Sequence, residues 1–267
     1  MRVVVTRPER ETRRWAADLS ARGFEALALP LIKLVPIDDP AELRRVGQQI
    51  GEYAGVMFVS ANAADHFFAS NPALAGAFGA GVGRSPRAWA TGPGTARALT
   101  RAGVATGQID VPGADAAQFD SEALWQIVGA QLRPGERALI VRGSDEVDPA
   151  QAPGGSGRDW FSRRLLEAGA RVDFVVAYRR CAPEFSASER DLAREAAADG
   201  SVWLFSSAQA VRNLLLCLPA QGWGAARALA THARIAQAAR SAGFGLVRVS
   251  RPTLSDVLAA LKSYDET

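Results

Sequence analysis

Ala88-Trp-Ala-Thr-Gly-Pro-Gly-Thr-Ala-Arg-Ala-Leu-Thr-Arg-Ala-Gly-Val104 returns further along the chain as Ala228-Leu-Ala-Thr-His-Ala-Arg-Ile-Ala-Gln-Ala-Ala-Arg-Ser-Ala-Gly-Phe244, with identities at Ala88, Ala90, Thr91, Ala96, Ala98, Ala102 and Gly103. A second pair precedes each copy: Val56-Met-Phe-Val-Ser-Ala-Asn-Ala-Ala64 and Trp203-Leu-Phe-Ser-Ser-Ala-Gln-Ala-Val211. In each block a short apolar run passes through a small polar turn into an Ala-rich segment, the pattern of a buried strand, its turn and a helix. A chain that repeats such blocks consists of two similar halves. Two such halves facing one another would enclose a cleft lined by the repeated turns.

The same alternation runs through the whole chain and predicts an α/β protein with parallel sheets. Strands are expected at 2–5, 26–31, 56–59, 88–90, 108–111, 138–141, 172–176, 202–205, 228–230 and 246–249, with helices such as 11–22 and 160–167 between them. Two proline-bearing stretches, 33–40 and 179–184, read as connectors, because proline fixes φ and removes a backbone donor. Residues 76–87 and 144–158 read as loop-like insertions, the second carrying Pro153-Gly-Gly-Ser-Gly157. With 267 residues and 48% hydrophobic content, the chain can fill two cores of ordinary size, about 130 residues each.

Composition narrows the partners. Thirty-one Lys and Arg stand against 28 Asp and Glu, interspersed rather than in runs, which carries no nucleic-acid signature. Apart from Lys33 and Lys262 every one of these cations is an arginine, whose planar fork suits carboxylates, although a coding bias towards Arg, Ala and Gly accounts for the same count. Cys181 and Cys217 are isolated, and with His66 and His232 they form no metal-ligand spacing, so no metal is expected and a reducing compartment is. Met1-Arg-Val-Val-Val-Thr-Arg-Pro8 reads as strand and turn rather than signal peptide, and no run is apolar enough to span a bilayer. The expectation is a cytoplasmic protein that binds neither membrane nor nucleic acid.

The candidate site residues sit where predicted strands end. Ser60 and Ser207 each precede a helix, where a hydroxyl caps the first turn and leaves other amides for an anion. Thr91-Gly92-Pro93-Gly94-Thr95 is a glycine turn of the same kind. It departs from a dinucleotide fingerprint, with Arg97 in place of the third glycine and no acidic residue closing a nearby strand. Arg7 and Arg142-Gly143 end the first predicted strand of each half, and either arginine could clamp a carboxylate or sit solvated. Tyr178 ends the 172–177 run; it could anchor the connector, or its phenol could give a proton to a departing hydroxyl.

The whole chain resembles the uroporphyrinogen-III synthase family, on Val5-Thr-Arg7-Pro8, Phe58-Val-Ser60-Ala-Asn-Ala63, Gly92-Pro-Gly-Thr95-Ala96, Val141-Arg142-Gly143, Val176-Ala-Tyr178-Arg-Arg180, Phe205-Ser-Ser207-Ala-Gln-Ala210 and Pro252-Thr-Leu-Ser-Asp-Val-Leu258. The resemblance implies two flavodoxin-like domains joined by a two-stranded connector. Residues 1–34 and 181–267 would form a discontinuous first domain, 37–177 the second, with 35–40 and 177–184 connecting them. It implies closure of linear hydroxymethylbilane to uroporphyrinogen III, with loss of water and inversion of the last pyrrole ring, on the way to haem. A monomer without cofactor is expected. Tyr178 would assist departure of the hydroxyl, while Arg7, Ser60, Thr91, Gly92, Gly94, Thr95, Arg142, Gly143 and Ser207 would bind substrate. The chain departs from the family pattern at 144–156, which is inserted before Gly157-Arg158 and leaves Arg158 doubtful as a contact, and at Ala61 and Ala208, where proline is common. A two-lobed cytoplasmic binding or regulatory protein for a small anion is the competing reading.

Overall fold

The computed structural model of the chain describes residues 1–79, 85–113, 120–145 and 156–264, and the side chains of all of these except 145 and 156–159. Its first elements are β1 (Arg2–Val5), α1 (Glu9–Ser20), β2 (Glu25–Ala28), β3 (Lys33–Pro36) and α2 (Ala41–Gln48). The strand–helix alternation then runs through β4 (Tyr53–Phe58), α3 (Ala61–Ser70), β5 (Arg87–Ala90), α4 (Pro93–Ala102), β6 (Ile109–Asp110) and α5 (Ser121–Val128). It begins again with β7 (Arg137–Asp145), α6 (Ser156–Glu167), β8 (Arg171–Cys181) and α7 (Ala187–Ala196), and closes with β9 (Val202–Phe205), α8 (Ala208–Cys217), β10 (Arg227–Ala230), α9 (Ala233–Ser241), β11 (Leu246–Val249) and α10 (Leu254–Lys262).

The repeat does not fold half by half. By sequence, β1, β2, β4, β5 and β6 form one copy, and β7 to β11 the other. The sheets mix them: one has the order β11-β10-β9-β1-β2, the other β3-β8-β7-β4-β5-β6. Each sheet therefore takes the leading strand pair of one copy and the last three strands of the other. Chain contacts divide accordingly into two compact units, Met1–Leu34 with Cys181–Thr267, and Val35–Arg180. The exchange is possible because the mating edges are equivalent. Val5 lies opposite Leu204 in the first sheet and Ile140 opposite Met57 in the second, and Leu204 and Met57 are the same position of the repeat. Counting two residues on makes Arg7 and Arg142 equivalent positions of the repeat.

In the unit built on β1 and β9, alternate side chains fill the two faces of the sheet. Val4, Trp203, Phe205, Ala228 and Ala230 pack with Leu214, Ile235 and Ala236 of α8 and α9. Val3, Val5, Val202, Leu204 and Leu229 pack with Trp15 and Leu19 of α1 and with Val257 and Leu261 of α10. The period of two in the strands and the pairs of apolar residues four apart in the helices dictate this three-layer arrangement. In the other unit, Met57, Trp89, Ala138 and Ile140 face Leu124, Val128, Phe161 and Leu165 of α5 and α6. On the opposite face Phe58 meets Phe67 of α3 edge-on and stacks on Phe68 of the same helix.

Several expected boundaries move. The run read as a strand over 26–31 is ordered as β2 only through Ala28, although Leu29 and Leu31 are buried. The connector expected at 33–40 begins as strand β3, a neighbour of β8. β7 and β8 are longer than the apolar runs at 138–141 and 172–176, so Arg142, Gly143 and Tyr178 lie within strands instead of following them. Backbone pairing explains the extension: β8 is bonded to β7 on one side and neighbours β3 on the other, which keeps polar residues extended. Residues 146–155 of the expected insertion lie outside the described residues, as does the side chain of Arg158.

The repeated Ala-Gly that closes each copy of the opening motif has a backbone reason. Gly103 and Gly243 end α4 and α9 with φ of 100° and 91°. The next amide then bonds back, Val104 N–H to Leu99 and Phe244 N–H to Ala239, and both Val104 and Phe244 are buried. A Cβ added at Gly243 meets nothing within 4 Å, so Gly243→Ala isolates the backbone term. Its expected cost is about 1 kcal/mol, read as a lower urea midpoint; an unchanged midpoint would contradict the left-handed cap.

Candidate active site

The parallel strands of the 35–180 unit all end on one edge of their sheet, and in the spatial order β8, β7, β4, β5 they carry Tyr178, Gly143, Ser60 and the turn Thr91-Gly92. Five of the positions singled out by sequence thus share one rim. In open α/β sheets this carboxyl edge is where ligands bind.

Tyr178 reaches the rim through an irregularity. Along β7 and β8 the register runs evenly to Arg142 opposite Val176, then jumps to Gly143 opposite Tyr178, so Ala177 is the extra residue of a bulge. The phenol passes over Gly143: a Cβ built there would lie 2.4 Å from the ring's Cζ. Only glycine leaves that space, so the role seen for Gly143 is to admit the tyrosine ring. Tyr178 is 4% exposed. Its hydroxyl lies 3.3 Å from Ser60 Oγ, and Ser60 is only partly buried. His66 of α3 stacks on the ring, with centroids 5.2 Å apart and planes at 24°. Burial lowers the His66 pKa from its ordinary value, against a smaller opposing effect of Asp65.

Ser60 caps α3, its Oγ accepting the Ala63 N–H at 3.1 Å. A capping serine satisfies one first-turn amide and leaves others at the positive end of the helix. The next turn works with different residues. Gly92 caps α4 with extended backbone and no side-chain bond, Pro93 fills the first helical position, and Thr91 Oγ1 donates to the Val59 carbonyl at 3.4 Å. Gly94 is exposed, and a Cβ built there would meet Arg97 Nη2 only at 4.0 Å, whereas Thr95 is buried at 5% exposure. Of this turn, Thr91, Gly92 and Gly94 lie towards the rim surface and Thr95 packs inward.

The other unit repeats the pattern with substitutions. Ser207 caps α8, accepting the Gln209 N–H at 3.1 Å. Where the first copy has Gly92, the second has His232, whose Nδ1 accepts the Arg234 N–H and caps α9. The sequence signalled only a loss of glycines there, not that an imidazole takes over the cap. Arg7, at the end of β1, is neither solvated nor free. It bonds Glu11 at 3.2 Å and lies 4.4 Å over the Trp15 ring, and burial lowers its pKa, opposed by Glu11. Arg142 lies 5.0 Å over the half-exposed ring of Phe174. His66 escaped the sequence reading, which weighed the histidines only as metal ligands; the signal available was its place in the repeat, opposite Asn213.

These features define an α/β protein of two like units whose carboxyl rims present capped helix N-termini and, on one rim, a buried tyrosine in contact with a serine. The sequence model for uroporphyrinogen-III synthase HemD matches residues 13–259. The chain belongs to the uroporphyrinogen-III synthase family, enzymes of tetrapyrrole biosynthesis. Solved structures agree on the fold. A uroporphyrinogen-III synthetase from Helicobacter pylori 26695 aligns at TM-score 0.61 and 15% identity, covering 98% of this chain and 99% of that one. A mutant uroporphyrinogen III synthase from the extremely thermophilic bacterium Thermus thermophilus aligns at 0.56 and 17% identity, covering 100% and 99%. Among the described residues no helix is long and apolar enough to cross a membrane.

Replacing Gly143 by alanine puts a methyl group into the Tyr178 ring. The expected result is a loss of about 1–3 kcal/mol in unfolding free energy, the usual cost of overpacking. Unchanged stability would mean that the ring has room to move aside.

Proposed function

We propose that the Tyr178 rim carries the bond-breaking step of the family reaction, and that the capped helix N-termini hold the substrate's carboxylates. The family substrate, hydroxymethylbilane, is a flexible chain of four pyrroles with eight carboxylates and a terminal hydroxymethyl group. As the C–O bond of that group breaks, the oxygen takes the Tyr178 proton and leaves as water, while electrons from the attached pyrrole form an azafulvene. The far pyrrole then attacks through its substituted carbon, giving a spiro intermediate. One bond of that intermediate breaks and re-forms with the ring reversed, and loss of a proton restores the aromatic pyrrole and the tyrosine. No redox partner enters this balance, and the reading needs no cofactor.

The observation that supports it best is the contact between the Tyr178 hydroxyl and Ser60 Oγ beside the N-terminus of α3. Ser60 Oγ already accepts the Ala63 N–H, so its own proton is available to the tyrosine oxygen. Charge developing on the phenol oxygen then meets a hydroxyl polarised by the positive end of a helix, which favours proton release in the transition state. The azafulvene closes to the wrong isomer in free solution, so holding the chain is as large a part of the task as the proton transfer. Thr91, Gly92 and Gly94 offer backbone for that purpose in this unit, and Ser207 and Arg7 are proposed contacts in the other. A monomer working in the cytoplasm towards haem is part of the same proposal; the free thiols of Cys181 and Cys217 suit a reducing compartment.

Supplying enzymatically generated hydroxymethylbilane and separating the product isomers tests the reading. The expected product is isomer III in excess of the spontaneous isomer I, and isomer I alone would refute it. Tyr178→Phe removes one hydroxyl and keeps the ring; it is expected to lower kcat about tenfold or more with the fold retained. Turnover at the parent rate would reduce Tyr178 to a packing residue.

A further inference from the structure

Ser60 and Tyr178 meet at 3.3 Å, beyond the usual range for hydroxyl pairs, so this bond alone restrains the phenol weakly. The tyrosine hydroxyl is also the far end of a long lever, displaced by small rotations about χ1. Gly143 lies close beside the phenolic end of the ring and gives it space. What meets the ring face is His66, one and a half turns along the helix that Ser60 caps.

The internal repeat supplies an independent observation. Aligning Ser60 with Ser207 places His66 opposite Asn213, the same position of α8. Asn213 is 5% exposed, and its Nδ2 donates to the Leu31 carbonyl at 2.7 Å and to the Cys181 carbonyl at 3.4 Å. Leu31 follows β2, the strand that corresponds to β8, and its N–H bonds Thr6, the residue after β1. In both units the sixth residue of the helix therefore reaches the end of the second strand of the sheet. Asn213 fixes a backbone carbonyl there, and His66 meets a side chain.

Resting on the role proposed for Tyr178, we propose that His66 is a positioning residue, which by stacking on the Tyr178 ring keeps its hydroxyl against Ser60 without itself touching substrate. Burial keeps the imidazole neutral near pH 7, so the stack sets no cation against the phenol. The neighbouring carboxylate of Asp65 is engaged by Arg101 at 2.8 Å. The contribution is geometric, and a side chain of similar planar shape should replace it.

The test measures kcat and KM with enzymatically generated hydroxymethylbilane for His66→Ala and His66→Phe, each alone and combined with Tyr178→Phe, after circular dichroism has confirmed folding. His66→Ala is expected to lower kcat about tenfold with little change in KM, the scale on which misplaced reacting groups act. His66→Phe should restore kcat to within about threefold of the parent, since it keeps the stack. In the Tyr178→Phe background, His66→Ala should add almost nothing, because the oxygen it positions is gone. A loss that multiplies with Tyr178→Phe, or a phenylalanine variant no better than alanine, overturns the proposal. Should Tyr178→Phe be slow while His66→Ala keeps the parent kcat, His66 alone loses its role. Should Tyr178→Phe itself run at the parent rate, the reading of Tyr178 fails and this inference with it.

Discussion

Tyr178 and Ser60 are 118 residues apart in the chain and belong to different copies of the repeat, and what brings their hydroxyls within 3.3 Å is the parallel pairing of β4 with β7. If each copy closed on its own strands, β7 would pair with β9, and the tyrosine of β8 would stand near Ser207 instead. The exchange of strand pairs between the copies is thus a condition for the site as well as a feature of the fold. It also divides the labour. The unit holding β8 and β4 combines the tyrosine, the glycine that admits it and the capping serine, while the other unit keeps the cap and carries Asn213 and Leu31 in the corresponding places.

The arginines bear on how a polycarboxylate is held. Arg2, Arg87 and Arg137 stand at the first residues of β1, β5 and β7 and face acidic neighbours: Arg2 with Glu25, Glu195 and Asp199, Arg87 with Asp110, Arg137 with Glu52 and Asp173. They tie the amino edges of their own sheets. Such partly exposed pairs add modestly to stability. On the carboxyl edges, Arg7 is held by Glu11 and Trp15, and Arg142 covers Phe174. The proposed carboxylate contacts are instead backbone amides of the helix first turns at Ser60, Gly92, Ser207 and His232, which do not draw on a cation already held by a neighbouring carboxylate.

Much of this was legible in the residues. The repeat named the strand–turn–helix blocks, and the continuously apolar runs Val3-Val4-Val5 and Trp203-Leu204-Phe205 pointed to strands buried on both faces of a sheet. Ser60 and Ser207 could be read as caps because only a few short side chains reach the first-turn amides. The exchange between copies was not legible from the repeat alone. The edges of β9 and β4 are alike, so local pattern does not say which leading strand each accepts, and the discontinuity had to come from the family resemblance. Strand ends failed for another reason. Polar residues such as Arg142, Tyr178 and Arg179 are held extended by neighbours distant in sequence, which no window along the chain contains. His66 and the bulge at Ala177 are tertiary in the same sense.

That the Ser60 and Tyr178 hydroxyls act as one unit in releasing the substrate's hydroxyl is tested most directly by a double-mutant cycle on kcat. Ser60→Ala and Tyr178→Phe should each slow formation of isomer III, and the double variant should be no slower than the slower single one, because each change already breaks the same contact. Independent losses that multiply in the double variant would show two unrelated roles and contradict the account.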